Sequence, residues 1–327
     1  MAFLVTGAAG FIGYHLCEQL LLRGEEVIGL DSLNSYYSVE LKRARLAQLE
    51  LRKGFSFEHL DIADTKAMEK LSKKNNNYSH IVHLAAQAGV RHSLSHPRDY
   101  ARANLDGFLE ILELCRSLPN LKHLVYASSS SVYGANSKLP FSVEDRVDMP
   151  ISLYAASKKA NEVMAYSYSH LYGFPSTGLR FFTVYGPWGR PDMAAFIFTK
   201  AILSGKPISV FNHGDMRRDF TYIDDIVSGI LGCLNHPPAH GDNNLAPHRI
   251  YNLGNHKSED LMDFISILER ECGKKAIMEM KEIQPGDVRD TYADIDASVR
   301  DFGFYPKTSI HVGLPKFVNW YKKHYAV

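Results

Sequence analysis

The sequence predicts an α/β fold in which a doubly wound parallel sheet is joined to a smaller C-terminal α/β lobe. Short apolar segments alternate with helical segments through the first half of the chain, which is typical of a parallel sheet covered on both faces. A glycine-rich turn links the first apolar segment to the first helical one. The chain has 327 residues, which is long enough for two lobes.

The first strand, turn and helix form a unit that is typical of dinucleotide binding. Residues 3–5 are the predicted strand, the following helix runs to about residue 23, and residues 27–30 are the second strand. Glycines allow the backbone to approach a pyrophosphate, and the start of the helix offers unpaired N–H groups to it. The turn contains Gly7, Gly10 and Gly13. We therefore expect a Rossmann-type domain.

An acidic residue follows the second strand. Asp31 lies 18 residues after Gly13, where a carboxylate can accept hydrogen bonds from both ribose hydroxyls. The same carboxylate would repel a 2′-phosphate, so NAD is favoured over NADP. The alternative is a purely structural turn, but strand, turn, helix and acid all stand in the expected register.

Three further strands are predicted, at residues 55–60, 81–84 and 121–127, and helices at residues 97–118 and 153–172. The strands end at Asp61, at an Ala-Ala-Gln turn and at a run of serines. Ligands bind outside the carboxyl ends of strands in such sheets. These ends therefore mark the predicted cofactor site.

The second half of the chain is less regular. We expect a dinucleotide-binding domain at residues 1–185 that also receives residues 215–255, and an interleaved substrate lobe at residues 186–327, with a cleft between them. The expected helices are 193–203, 222–234, 258–272 and 310–325, and the expected strands are 208–211 and 250–253.

Tyr154 and Lys158 are the candidate catalytic pair. Positions i and i+4 share one face of a helix, and a nearby cation lowers the pKa of a phenol, which is ordinarily near 10. The preceding serine run offers hydroxyls to the oxygen whose proton Tyr154 would take. The pattern indicates oxidation of a secondary hydroxyl beside a hydride acceptor. Taken alone, it could also be a surface pair worth about 0.3 kcal/mol.

Composition excludes several classes of function. The net charge of +1 indicates neither nucleic acid nor a membrane surface as partner. No apolar run reaches the roughly 20 residues that span a bilayer, and the N-terminus lacks the basic region of a signal peptide. The four cysteines and the histidines His83, His92 and His96 have no metal-site spacing. We therefore expect no metal, no disulfide and a cytoplasmic location.

Together these residues resemble the extended short-chain dehydrogenase/reductase family over nearly the whole chain. Members of that family act on nucleotide-diphospho-sugars, and the chain is most similar to the UDP-glucuronate 4-epimerases, through residues 31–37, 87–94 and 185–194. Trp188 stands where arginine is usual. The family landmarks are the glycine turn, Asp31, Asp61-Ile62, the serine run with Val132-Tyr133-Gly134, Tyr154 with Lys158, and residues 180–187, 218–222 and 285–289.

The resemblance implies the chemistry. Tyr154 as phenolate takes the proton of the sugar 4-hydroxyl, while Lys158 lowers the Tyr154 pKa and binds the nicotinamide ribose. Ser129 occupies the position of the family's catalytic serine, with Ser128 and Ser130 as alternatives. The 4-keto sugar then rotates and takes the hydride back, so NAD stays bound. The predicted cofactor contacts are Gly7, Gly10, Phe11, Ile12, Gly13, Asp31, Asn34, Asp61, Ile62, Leu84, Ala85, Ala86, Gln87, Asn104 and Lys158.

The resemblance also implies the contacts of a UDP-sugar substrate. Arg190 offers two parallel donors to the sugar carboxylate, with Thr183 beside it; the alternative for Arg190 is a loop surface charge. Arg218 and Arg289 are expected at the diphosphate; their alternative is a salt bridge to Asp219 or Asp290. Arg91 completes the predicted substrate contacts.

Other functions remain open from sequence alone. A neutral-sugar epimerase acting on UDP-glucose or its N-acetyl analogue is the nearest rival, and a UDP-glucuronate decarboxylase is the next. Dehydratases and decarboxylases of this family usually carry a carboxylate where this chain has Ser130-Ser131. A catalytically inactive NAD-sensing protein is the rival from another class. The resemblance further implies a homodimer, through residues 97–118 and 153–172.

Overall fold

The computed structural model describes residues 2–74, 77–240, 245–283 and 288–327. The elements up to residue 172 are β1 (Ala2–Thr6), α1 (Phe11–Leu22), β2 (Glu26–Asp31), α2 (Val39–Glu50), β3 (Phe55–His59), α3 (Thr65–Lys74), β4 (Tyr78–His83), α4 (Val90–Ser95), α5 (Pro97–Tyr100), α6 (Gly107–Ser117), β5 (His123–Ser129) and α7 (Leu153–Tyr172). A π-helical segment, Ala101–Asp106, joins α5 to α6.

The later elements form the remaining sheet edge and several short sheets. They are β6 (Ser176–Phe181), β7 (Thr183–Tyr185), α8 (Ala194–Ser204), β8 (Pro207–Phe211), β9 (Arg217–Arg218), β10 (Phe220–Tyr222), α9 (Ile223–Leu234), β11 (His248–Leu253), β12 (Glu259–Asp260), α10 (Leu261–Cys272), β13 (Ile277–Lys281), β14 (Asp290–Thr291), α11 (Asp296–Phe302) and α12 (Ile310–Tyr325).

Seven strands form one parallel sheet in the order β3-β2-β1-β4-β5-β6-β11. The chain winds outward from β1 in one direction and from β4 in the other. Ligands bind in such sheets outside the carboxyl ends of the strands, where the direction reverses. The predicted doubly wound parallel sheet is thereby confirmed.

The core lies on both faces of this sheet because successive strand residues point to opposite sides. Leu4 and Leu124 belong to a cluster with α3 and α6, whereas their neighbours Val5 and Val125 belong to a second cluster with α1 and α9. All four residues are fully buried. The second cluster continues into α8, α10 and α12, so the later part of the chain is packed onto one face of the sheet.

The sequence prediction missed α2, α3 and β6 in the first part of the chain, and α11 and several short strands in the later part. β6 reads Ser-Thr-Gly-Leu-Arg-Phe, which has neither an apolar run nor an alternating pattern, yet all six residues are buried. It lies between β5 and β11. β11 lies in the second half of the chain but pairs with β6 in the main sheet. It falls within residues 215–255, which were expected to join the dinucleotide-binding domain. The proposed division of the chain at residue 185 stays a prediction, and residues 285–287 of one predicted landmark lie outside the described ranges.

Helix α7 carries the predicted catalytic pair and has clear end signals. The Ser152 hydroxyl accepts a hydrogen bond from the Ala155 N–H at 3.1 Å, and Gly173 ends the helix with a positive φ of 74°. The buried face of the helix is largely polar or small, and it includes Lys158 and Glu162. Such a face is suited to holding a site and not to filling a core.

A buried ion pair joins α7 to β6. Glu162 accepts bonds from the Nε and Nη2 atoms of Arg180 at 2.8 and 2.9 Å, and each side chain is 4% exposed. The Ser128 hydroxyl also donates to Glu162, at 2.7 Å. Burial raises the pKa of Glu162, but the bonds and charge of Arg180 outweigh burial and hold that pKa below its ordinary value of 4.5.

We expect Glu162→Gln to lower the free energy of unfolding at pH 7 by about 3 kcal/mol or more, because it leaves a buried guanidinium without its counter-ion. Since the folded pKa of Glu162 is depressed, the contribution of the pair is present above pH 4.5 and is lost as the pH falls below that value. The difference between variant and wild type should therefore shrink in acid. Urea unfolding at several pH values measures it, with exposed Glu144→Gln as control; a difference independent of pH would contradict this account.

Candidate active site

A cavity of about 1510 Å³ lies at the carboxyl ends of β1, β2, β4 and β5. Its opposite wall comes from β7, the start of α8, β8 and β9. Every residue predicted to contact cofactor or substrate lines this cavity, except Asn104 and Arg289. The sheet and the later part of the chain therefore enclose one site.

The glycine turn forms one end of the cavity. Gly7 has a φ of 72°, and a Cβ added there would lie 2.8 Å from the Ala85 nitrogen. A Cβ at Gly10 would lie 2.9 Å from the Gly7 carbonyl oxygen, and one at Gly13 would overlap the same atom. Gly10 begins α1 without a side-chain cap. The turn thus offers bare backbone N–H groups to a ligand, as a pyrophosphate requires.

Asp31 lies at the end of β2 and is 8% exposed. Its carboxylate accepts hydrogen bonds from Ala9 N at 3.2 Å and Leu33 N at 2.8 Å, so it is oriented by both the glycine turn and the following loop. Lys42 of α2 donates from Nζ to the carbonyl and the side-chain oxygen of Asn34, both at 2.7 Å. The cradle of glycines and the oriented carboxylate fit the pyrophosphate and a ribose of NAD.

Asn104 lies behind this wall and not in it. Its side chain accepts from Gln87 N at 2.8 Å and donates to Gln87 O at 3.0 Å and to the Ser157 hydroxyl at 2.9 Å. It is 1% exposed. The Asn104 amide thus holds the Gln87 turn against α7, and its predicted direct contact with the cofactor stays a prediction.

The three candidate serines have different partners. Ser129 lies close enough to Tyr154 to lower the pKa of the phenol, and its hydroxyl accepts from Ser131 N at 3.2 Å. Ser128 donates to the buried carboxylate of Glu162 instead. Ser130 lines the cavity without a bond to Tyr154 among those the described residues show. The geometry thus pairs Ser129 with the phenol.

Tyr154 is partly buried in the cavity wall, and this loss of water raises its pKa above the ordinary value of 10. The nearby Ser129 hydroxyl and the Arg190 guanidinium lower the pKa, and Asp192 raises it. Lys158 lies one turn further along α7, and its predicted effect on the Tyr154 pKa stays a prediction. Its ammonium donates to the Ala127 carbonyl at 2.9 Å, and burial lowers the pKa of Lys158 to about 8.

Arg190 is not a loop surface charge. Its Nε and Nη2 atoms donate to the two oxygens of Asp192 at 3.0 and 2.5 Å, and its side chain is 24% exposed. The Tyr36 hydroxyl donates to the same carboxylate at 3.1 Å. Arg190 therefore presents its bidentate face to a carboxylate beside the catalytic phenol.

The other predicted cations occupy the far end of the cavity or lie outside it. The Arg91 guanidinium stands 4.7 Å from the centre of the Phe211 ring, across the cavity. Arg218 donates to the carbonyls of Arg217 and Arg289 at 2.8 and 2.9 Å. Arg289 pairs with Asp215 at 2.9 Å and does not line the cavity. The prediction that Arg289 meets the diphosphate is therefore not supported by its position.

Trp188 points away from the cavity. Its ring packs on Tyr14, Trp320 and His324, with centroids 5.5, 5.3 and 4.9 Å away. Its backbone has a positive φ of 62°. The replacement of arginine by tryptophan therefore removes no group from the cavity wall.

Sequence reasoning missed three residues of the site: Tyr36, Lys42 and Asp192. Tyr36 and Asp192 lie in segments that carried the family resemblance, and Asp192 stands two residues after Arg190, so their involvement could have been inferred. Lys42 lies on α2, a helix that was not predicted. In the described ranges no cluster of three or more His, Cys, Asp or Glu residues could hold a metal, and no helix there is long and apolar enough to cross a membrane.

The fold and this site define a family. A model of the NAD-dependent epimerase/dehydratase family matches residues 3–254, and the chain belongs to that family, as the sequence predicted. It is 49% identical to UDP-glucuronate 4-epimerase 2 of Arabidopsis thaliana, over 99% of this chain and 76% of that protein. It is 48% identical to Protein CapI of Staphylococcus aureus, over 99% of each.

A solved structure agrees. UDP-glucuronic acid 4-epimerase from Bacillus cereus, in complex with UDP-glucuronic acid and NAD, superposes with a TM-score of 0.89 at 35% identity. The alignment covers 99% of this chain and 100% of that one.

We expect Gly13→Ala to be purified with far less dinucleotide than wild type, because the added methyl group would displace the Gly7 carbonyl from the turn. The ratio of absorbance at 260 and 280 nm, followed by release of nucleotide from denatured protein, measures the bound fraction. Gly24→Ala is the control for backbone strain outside the turn, since its Cβ would meet nothing within 4 Å but its φ of 81° disfavours alanine; it should keep its dinucleotide. Full dinucleotide content in the Gly13 variant would contradict this assignment of the turn.

Proposed function

We propose that this protein is an NAD-dependent 4-epimerase that interconverts UDP-glucuronate and UDP-galacturonate. The observation that carries the proposal is the position of Arg190, whose bidentate face and charge stand beside the Ser129–Tyr154 pair. In a hexuronate the carboxylate carbon, C6, is bonded to C5, and C5 is bonded to the reacting C4. The carboxylate therefore lies close to the reacting centre. Sequence similarity to UDP-glucuronate 4-epimerases supports the same substrate.

The proton is handled by Tyr154 and Ser129. Both side chains line the cavity, and they lie close enough for Ser129 to lower the pKa of Tyr154. A sugar hydroxyl placed between them would meet both. Tyr154 as phenolate takes the proton of the 4-hydroxyl and later returns it to the 4-oxygen, and Ser129 holds that oxygen. NAD, held by the glycine turn and Asp31, would supply the acceptor for the hydride from C4 and the donor for its return. Return to the opposite face of the rotated 4-keto sugar inverts the centre.

Arg190 binds the sugar carboxylate in this proposal. Asp192 occupies its bidentate face in the free protein, so one carboxylate replaces another on binding. Thr183 lines the cavity beside this position and adds a hydroxyl. A 4-keto hexuronate is a β-keto acid, which loses carbon dioxide readily. A firmly held carboxylate restrains that loss, and the serine run presents no acid of its own to the cavity.

Arg91 and Arg218 are proposed to bind the diphosphate at the far end of the cavity. Both line it, on opposite walls, in α4 and β9. We further propose a cytoplasmic homodimer. The four cysteines are all free and buried. Helices α6 and α7 expose apolar side chains that a partner subunit would cover, including Leu109 at 40% and Val163 at 58%.

Incubation of the purified protein with UDP-glucuronate, without added NAD, is expected to yield UDP-galacturonate at equilibrium. Tyr154→Phe should lower kcat by a factor on the order of 10² to 10⁴, since it removes the acid–base group. Chromatography of the nucleotide sugars measures both. Release of carbon dioxide would identify a decarboxylase, turnover of UDP-glucose alone a neutral-sugar epimerase, and no turnover a binding protein; each would overturn the proposal.

We expect Arg190→Ala to lower kcat/KM for UDP-glucuronate by about 100-fold, through loss of a bidentate charged contact. Because Arg190 lowers the Tyr154 pKa, its removal raises that pKa. The rising limb of the pH–rate profile should therefore move to higher pH. The fraction of turnover that ends in carbon dioxide should also increase.

Two controls distinguish these effects. Arg190→Lys keeps the positive charge but loses the bidentate face, so the pH profile should stay close to wild type while kcat/KM still falls. Exposed Arg249→Ala should change neither quantity. A wild-type kcat/KM in the Arg190→Ala variant would show that the carboxylate is bound elsewhere.

A further inference from the structure

Arg45 of α2 connects the two ends of the site. It is fully buried, with 0% of its surface exposed. Its Nη1 atom donates to the Ala9 carbonyl at 2.9 Å and to the Tyr37 hydroxyl at 3.0 Å. Nε and Nη2 donate to the Trp188 carbonyl at 3.1 and 2.6 Å, and Nη2 also donates to the Gly189 carbonyl at 3.2 Å.

All of these acceptors are neutral. No ion pair with a carboxylate is found for Arg45 in the part of the chain that the structure describes. Its charge instead contributes to lowering the pKa of three basic side chains, Lys42, His15 and His324. A buried cation without a counter-ion is costly, and an apolar side chain of similar size would avoid that cost. The guanidinium must therefore be explained by what its donors hold in place.

The donors hold two segments that are remote in sequence. Ala9 belongs to the glycine turn, whereas Trp188 and Gly189 immediately precede Arg190. Trp188 adopts a positive φ of 62°. For a residue other than glycine, this backbone conformation costs about 1 kcal/mol or more. Two of the hydrogen bonds from Arg45 go to the carbonyl of this strained residue. His15 of α1 adds a bond to the Pro187 carbonyl at 2.9 Å.

We propose that Arg45 is a positioning residue that fixes the loop of residues 186–192 against the glycine turn and so places Arg190 for the sugar carboxylate. The planar guanidinium can reach three carbonyls at once, which an ammonium cannot do in the same geometry. The inference rests on the proposed function. Arg91 and Arg218, which are assigned to the diphosphate, lie on α4 and β9, whereas the bonds of Arg45 hold the loop that carries Arg190. Arg45 should therefore affect binding of the uronate and not of UDP.

The test is calorimetric titration of the as-purified holoenzyme with UDP and, separately, with UDP-glucuronate. Tyr154→Phe serves as the background, so that UDP-glucuronate is not converted. In that background Arg45→Met is expected to weaken UDP-glucuronate binding by about 10-fold or more, as outer-shell substitutions do, and to leave UDP binding within about twofold. Arg43→Met, exposed on the same helix, is the matched control and should change neither affinity.

A double-mutant cycle separates positioning from general loosening. If Arg45 acts through Arg190, then Arg45→Met should cost little or nothing further when Arg190 is already alanine. Arg45→Lys is the second variant: it keeps the buried charge, and with it the fold, but cannot bridge both segments. It is expected to lose uronate affinity as Arg45→Met does.

Three results would overturn the inference: equal weakening of UDP and UDP-glucuronate, full additivity with Arg190→Ala, or wild-type uronate affinity in both Arg45 variants. The failure of the proposed function looks different. In that case the wild-type protein itself would not epimerise UDP-glucuronate, whatever the Arg45 variants bind.

Discussion

The three glycines at the turn between β1 and α1 have no room for side chains, and the site is built around that constraint. Gly13 lies against the Gly7 carbonyl so closely that a methyl group would overlap it, and Gly7 lies against the chain after β4. The backbone of the turn is thereby left to bind other groups. Ala9 shows both uses, because its N–H orients Asp31 and its carbonyl receives Arg45. The cofactor region and the substrate region are thus both positioned against the same short segment of backbone.

Electrostatics around Tyr154 follow from burial. A phenol withdrawn from water resists ionisation, and the nearby Ser129 hydroxyl and Arg190 guanidinium oppose that effect by lowering the Tyr154 pKa. Asp192 works against that cation in the free protein. Exchange of Asp192 for a substrate carboxylate would keep the local charge the same, so the phenol would keep its acid–base character when the substrate arrives.

Much of this arrangement could be predicted from the sequence. The strand–turn–helix unit, Asp31 and the whole of α7 were predicted from local signals: glycines, an acid at a strand end, and a helical stretch between predicted strands. β6 was missed because its burial depends on Glu162, a partner distant in sequence that neutralises Arg180. The ion pair of Arg289 with Asp215 was not predicted for a related reason, since Asp215 lies 74 residues earlier in the chain. Local sequence patterns predict secondary structure well, but they do not predict which charged side chains form ion pairs.

The packing of Trp188 on Trp320 and His324 has a consequence for how the protein is handled. Both partners belong to α12, more than 100 residues further along the chain. The last helix is therefore a support of the loop that carries Arg190, although it contributes nothing to the cavity wall. A tag or truncation that disturbs α12 would first weaken binding of the acidic sugar, while binding of the dinucleotide would be retained.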